Sequence, residues 1–187
     1  MSLQSWGELI IANSVDGPTL TAAAAASCIP TPNRGTLNNI FFQVGKKIRI
    51  MLAGRISCVV TTPGTARFDV RLGPSGTIIV FDTGALNLNV VVKTNVPWWL
   101  DIWLSCRAIG AGTATTLFGF GQFISEAVVG APANTAGGNG VLMCPVGAPA
   151  VGTGFDNTAA NVLDVFFTQT VATGSLTVHE FNVFSLN

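Results

Sequence analysis

The residues able to do chemistry are few and badly placed for it. His179 is the only histidine, and its setting, "SLTVHEFNVFSL", offers no G-x-S-x-G or comparable nucleophile context. Strand alternation puts His179 on one face with Thr177, Phe181 and Val183, with Glu180 pointing the other way. A packed or interface histidine is the expected role, and the chain reads as non-enzymatic. The four cysteines, Cys28, Cys58, Cys106 and Cys144, lack the C-x-x-C spacing of metal or redox sites. Cys58 and Cys106 sit in apolar strand patterns and read as buried thiols. Cys28 and Cys144 stand in loop-like segments. Whether they meet in a disulfide stays open, although a reducing compartment argues against it.

Ligands for metals and cofactors are equally sparse. "GFDN" (154–157) is an oxygen-rich turn with one aspartate and one asparagine, short of a calcium loop. The clusters "GFG" (119–121), "GGNG" (137–140) and "GTG" (152–154) lack the strand, loop, helix and lysine of a phosphate cradle. The expected assignment is no catalytic residue, no metal and no cofactor.

Aromatic residues are more informative. "VPWWLDIWLSCRAIG" (96–110) holds three of the four tryptophans. Read as a strand, one face carries Trp98, Leu100, Ile102, Leu104 and Cys106, a plain core stripe. The other carries Trp99, Asp101, Trp103, Ser105 and Arg107, the pattern of a partly covered face. Three readings are open for that face. The rings pack under the chain's own long loops, they anchor a subunit contact, or they stack on sugar rings. A chain without tyrosine is a poor match for the third. A helix opened by Pro97 would gather Trp99, Ile102, Trp103 and Cys106, but the β-rich surroundings count against it.

The elements that must position these residues follow period two. "ARFDVRLG" (66–73) alternates Ala66, Phe68, Val70 and Leu72 with Arg67, Asp69 and Arg71, as a half-buried antiparallel strand does. "KIRIMLAGRISCVV" (47–60) starts the same way and turns continuously apolar near Gly54, where a bend or two covered faces would explain it. Further strands are expected at 7–12, 38–43, 77–82, 85–92, 96–107, 115–127, 161–171 and 175–186, separated by turns rich in Pro and Gly. Alanines at 19–28 give only weak support for a short helix. The expected fold is therefore all-β, a single-domain jelly-roll-like antiparallel sandwich of about 8–10 strands over residues 1–187. Residues 1–20 read as an N-terminal arm. The Gly/Ala/Pro-rich stretch 128–160 reads as an excursion that reaches a neighbour or forms a flexible tip.

Composition bounds the partners. Charged residues make up 10% of the chain and apolar ones 49%, with a mean hydropathy of +0.54, so much apolar surface is expected against other subunits. All nine basic residues fall in 1–107, a balance of +4, whereas 108–187 balances at −4. This asymmetry is either chance or a head-to-tail contact between subunits. No basic stripe extends beyond Lys46, Lys47, Arg49 and Arg55, which argues against nucleic acid. No apolar run approaches the roughly 20 residues of a spanning helix, and the N-terminus lacks a signal-peptide pattern, so synthesis in a cytoplasm is expected.

Three stretches carry a resemblance: "MSLQSWGELIIANSVDG", "VVKTNVPWWLDIWLSCRAIGAGT" and "VGTGFDNTAANVLDVFFTQTVATGSLTVHEFNVFSLN". They resemble segments of virion structural proteins of tailed bacteriophages. Within such particles a small all-β chain without enzymatic residues is similar to head decoration (cement) proteins. The resemblance implies a homotrimer bound to the major capsid protein or other virion proteins; a tail or neck station is the variant reading. A carbohydrate-binding jelly roll for host attachment is the alternative from another class. The interface residues expected are Trp6 and Glu8 in the arm, Trp99, Trp103 and Arg107 on the mixed face, His179, and the 128–160 excursion.

Overall fold

Alternating apolar residues need a dry layer on one side, and two sheets facing each other supply it. The computed structural model describes residues 7–59, 63–129 and 140–186. Its strands are β1 (Gly7–Ala12), β2 (Ala26–Ser27), β3 (Gly35–Leu37), β4 (Lys47–Cys58), β5 (Thr65–Leu72), β6 (Ile78–Asp82), β7 (Leu86–Asn87), β8 (Lys93–Ala108), β9 (Thr116–Ser125), β10 (Val141–Cys144), β11 (Asn161–Gln169) and β12 (Ser175–Leu186). One six-stranded sheet runs β1-β12-β4-β8-β9-β10, and the facing sheet runs β2-β11-β5-β6, with β3 on β11 and β7 on β5.

The pairings nest. β1 pairs with β12, β2 with β11, β4 with β8, and β5 with β6, all antiparallel. This is one long ribbon folded back on itself. Rolling it brings β12 onto β4 and β11 onto β5, which is the jelly roll expected from the sequence. β9 and β10 then extend the larger sheet beyond β8.

The core lies between the sheets. Phe68 is its hub, with ring centroids 5.2 Å from Trp98, 5.5 Å from Phe123 and 5.2 Å from Phe167. Gly119 faces this layer, and a Cβ there would collide with Phe81 from the opposite sheet. The absent side chain lets the sheets close at that corner.

Several expectations are corrected. Residues 38–43 form no strand. Ile40 takes a left-handed φ of 58°, and the segment is held by loop contacts instead. Of 85–92 only Leu86–Asn87 forms a strand, with Leu88 in an isolated bridge to Val128, and 19–28 contains no helix but the short β2. Residues 7–20 are no free arm: β1 borders β12, and Asn13, Gly17 and Leu20 continue along it through backbone bonds to Phe181, Val178 and Leu176. Of the 128–160 stretch, residues 130–139 lie outside the described residues and 146–151 are exposed, while other parts pack on the sandwich. Val141–Cys144 is a strand, Phe155 is fully buried beside Phe42, and Val151 bridges Phe118.

The second half of β4 is not covered on both faces, since Arg55 is exposed and Ile56 and Cys58 are buried. The irregularity lies opposite, where a bulge in β12 makes Val178 pair with Gly54 and Glu180 with Ala53. A Cβ on Gly54 would strike the Thr177 carbonyl. His179 is the extra residue, so the alternation breaks there: His179 and Glu180 are both exposed, and Val178 and Phe181 are both buried.

Candidate functional site

The two outer faces of the sandwich differ in kind. On the smaller sheet, Arg71 pairs with Asp69, Arg67 with Asp82, and Arg34 with Asp164 at 3.0 Å. Arg71 also lies 3.6 Å from the centroid of Phe166. Nearly every charge there has an opposite partner, as Asp69 and Asp164, both buried, require. Asp164 is nevertheless pushed above the usual carboxylate range. Burial is the main cause, opposed by a 2.6 Å hydrogen bond from Ser27 and by the charge of Arg34. Burial prevails because the Arg34 side chain is itself 34% exposed and water screens its charge.

The larger sheet turns a mostly apolar face outward. Its rows can be read across the strands from the register. One row is Leu9, Phe184, Arg49, Trp103 and Phe120; the next is Asn182, Met51, Asp101, Gln122 and Met143; the third is Glu180, Ala53, Trp99, Ile124 and Val141. Directly opposed residues in such rows touch. Trp99 is 40% exposed, Phe120 46% and Met143 63%. Single exposed apolar residues are ordinary; here they stand adjacent across several strands.

A charged pair sits in the middle. Arg49 Nε donates to Asp101 Oδ1 at 2.9 Å and Nη2 donates to Oδ2 at 2.7 Å. The guanidinium carbon lies 5.1 Å from the Trp103 ring. The bond to Asp101 raises the Arg49 pKa above its ordinary value. Beside this pair, Asp101, Trp103, Phe120, Gly121, Gln122 and Met143 line a shallow hollow of about 200 Å3.

The expected site residues divide accordingly. Trp99 and Trp103 belong to this face, Trp99 exposed and Trp103 half-buried; residues 130–139 of the long 128–160 stretch lie outside the described residues. Arg107 is exposed at the end of β8, 5.0 Å from the Phe118 ring. Glu8 is exposed on β1 but pairs in register with the buried Ser185, so it lies on the side of β1 away from Leu9 and Phe184. Its charge opposes the burial that lowers the Lys46 pKa. His179 sits at the bulge with Nδ1 2.9 Å from Asp16 Oδ1, and Asn13 Nδ2 donates to its carbonyl at 2.7 Å. These are holding contacts for the chain after β1. Trp6 lies outside the described residues.

Sequence reasoning missed Phe120, Ile124 and Met143. The first two alternate with Gly119, Gly121 and Phe123 in a stretch where only Gln122 marks the outward set, and β10 was not expected as a strand. The four thiols are all buried and free. Burial pushes each of their pKa values up, Cys144 to about 12. The "GFDN" turn is structural: Asn157 accepts from the Phe42 N–H at 3.1 Å and donates to the Phe42 carbonyl at 3.0 Å. Among the described residues, no three His, Cys, Asp or Glu side chains gather as metal ligands, and no helix is long and apolar enough to cross a membrane.

The lopsided charge along the sequence is partly closed within the fold. Arg34 meets Asp164, and Lys93 meets Glu126 at 2.6 Å, so two of the four acids in 108–187 are paired with cations from 1–107. Comparison with protein-family models, curated proteins and solved structures returns no match.

Proposed function

We propose that this chain is a non-catalytic structural subunit of a phage virion, a head decoration protein that binds the shell as an oligomer. The observation that carries the structural part is the outward apolar face of the larger sheet, with Trp99, Phe120, Ile124 and Met143 exposed on a rigid strand scaffold. Such a surface is expensive to leave in water and suits permanent assembly. The virion part rests on the likeness of the three quoted stretches to tailed-phage structural proteins. Several copies attached together would hold a shell firmly even through modest single contacts. The test is to add purified chain to tailed-phage heads stripped of decoration, and to locate it by cryo-EM in intact particles. Stoichiometric rebinding to the head lattice is expected; density only in the tail or neck moves its station, and absence from particles ends the proposal.

A second reading, a glycan site for host attachment, has one observation in its favour: the hollow that sets Trp103 and Phe120 beside Asp101 and Gln122. It is the weaker one, because both Asp101 oxygens already accept from Arg49. Glycan-array binding abolished by Trp99→Ala or Trp103→Ala would promote it.

A further inference from the structure

We infer that the outward face of the six-stranded sheet is the contact between copies of this chain, and that its occupant is a second copy rather than the shell. The inference deepens the structural reading by naming what covers that face.

Size is the first argument. Six strands about 4.8 Å apart, ten residues long on average at about 3.4 Å per residue, span roughly 1,000 Å2. A stable protein contact takes about 800 Å2 from each partner. The face is thus large enough to hold two copies together.

Chemistry is the second. Charge that must be stripped of water on docking is already neutralised at home. Asp101 is 7% exposed and both its oxygens are held by Arg49, which also lies against Trp103. The pair can enter an interface without leaving an unpaired buried ion. Around it stand Trp99, Phe120, Ile124 and Met143, so apolar surface would meet apolar surface when two such faces oppose each other. The formal net charge of zero means that no net-charge repulsion opposes association of copies.

Contrast is the third. The smaller sheet turns outward a face whose arginines and carboxylates are satisfied in pairs. It can stand in water or against a polar lattice. The molecule therefore has one face suited to its own kind and another left free.

The test is sedimentation velocity and mass photometry on the intact chain at nanomolar to micromolar concentration, with Trp99→Glu and Phe120→Glu beside it. Both sites are outward-facing, so circular dichroism and thermal melting should show folded variants. An oligomer in the parent that both variants weaken by at least 100-fold in dissociation constant is expected. A parent that is monomeric at 50 µM overturns the inference, as does an oligomer that both variants leave intact. Should a variant fail to fold, Ile124→Lys gives the same readout from the same row. A monomer that still binds phage heads would sink this inference alone, whereas an oligomer that ignores every particle would sink the virion reading alone.

Discussion

Arg49 and Asp101 stand on neighbouring strands one register step apart, and a single guanidinium occupies both carboxylate oxygens, at 2.9 and 2.7 Å. The two ends of this pair are unequally wet: the Asp101 side chain is 9% exposed and that of Arg49 is 34%. Removing the arginine strands a buried carboxylate, whereas neutralising the aspartate leaves a cation that water can reach. Arg49→Met should therefore cost about 2–3 kcal/mol, and Asp101→Asn only about 1 kcal/mol after screening of the exposed partner. Urea unfolding of the two variants checks the order. An equal or reversed cost would show that the pair is not what keeps Asp101 dry.

The thiols give a sharper chemical readout. Cys28, Cys58, Cys106 and Cys144 are all buried and free, and burial raises every one of their pKa values. Thiolate is the reactive form, so Ellman's reagent at pH 8 should titrate none of them in the native protein. All four should react in denaturant without any reductant. Fewer than four under those conditions would reveal a disulfide, Cys28 to Cys144 being the pair left open by the sequence.

Acidity should act through Asp164. Its folded-state pKa lies above the ordinary carboxylate value, so the folded protein binds this proton more readily than the unfolded chain does. The sign follows by linkage: the contribution is fully present below the unfolded pKa, near 4, and is lost as pH rises through the folded value. Against Asp164→Asn, the parent should lose stability as pH climbs out of that window and then run parallel. Urea midpoints between pH 3.5 and 7 measure the difference. A gap that widens toward acid in favour of Asp164→Asn would reverse the assignment.

Much of the architecture was legible because period-two patterning is a direct imprint of burial on one side. The stripe Trp98, Leu100, Ile102, Leu104 and Cys106 is buried throughout, and Phe68 and Val70 of β5 behave the same way. Legibility failed where alternation does. Two-residue strands such as β2 and β7 carry too few positions to show a period, and in 38–43 only Phe42 is buried, held in a loop. At β12 the bulge shifted phase by one residue, so His179 was assigned a face that Val178 and Phe181 hold instead. Of the outward face, Trp99 and Trp103 stood out because Asp101 and Arg107 interrupt their row. Phe120, Ile124 and Met143 did not, since exposure of an apolar residue leaves no mark in its own sequence. Only the register across β8, β9 and β10 joins them.

The "GFDN" turn makes the last case, because its two polar side chains look alike in sequence and differ wholly in place. Asn157 is 4% exposed and brackets the backbone of Phe42, accepting from its N–H and donating to its carbonyl. Its own carbonyl accepts from the Ile40 N–H at 2.7 Å, and Phe155 beside it packs on the Phe42 ring at 5.2 Å. This lock replaces the strand that 38–43 fails to form. Asp156 is half-buried and accepts from the Thr158 N–H at 2.7 Å and its hydroxyl at 2.6 Å, and from backbone N–H groups that include Gly112. Truncating Asn157 to Ala leaves two buried backbone groups without partners, at a cost of about 2–4 kcal/mol, while Asp156→Ala should stay within about 0.5 kcal/mol. Thermal and urea unfolding of both variants, with calcium present and absent, separates the readings. A calcium-dependent shift that Asp156→Ala removes would return the turn to metal binding; a large loss confined to Asn157→Ala marks it as the clamp on Phe42.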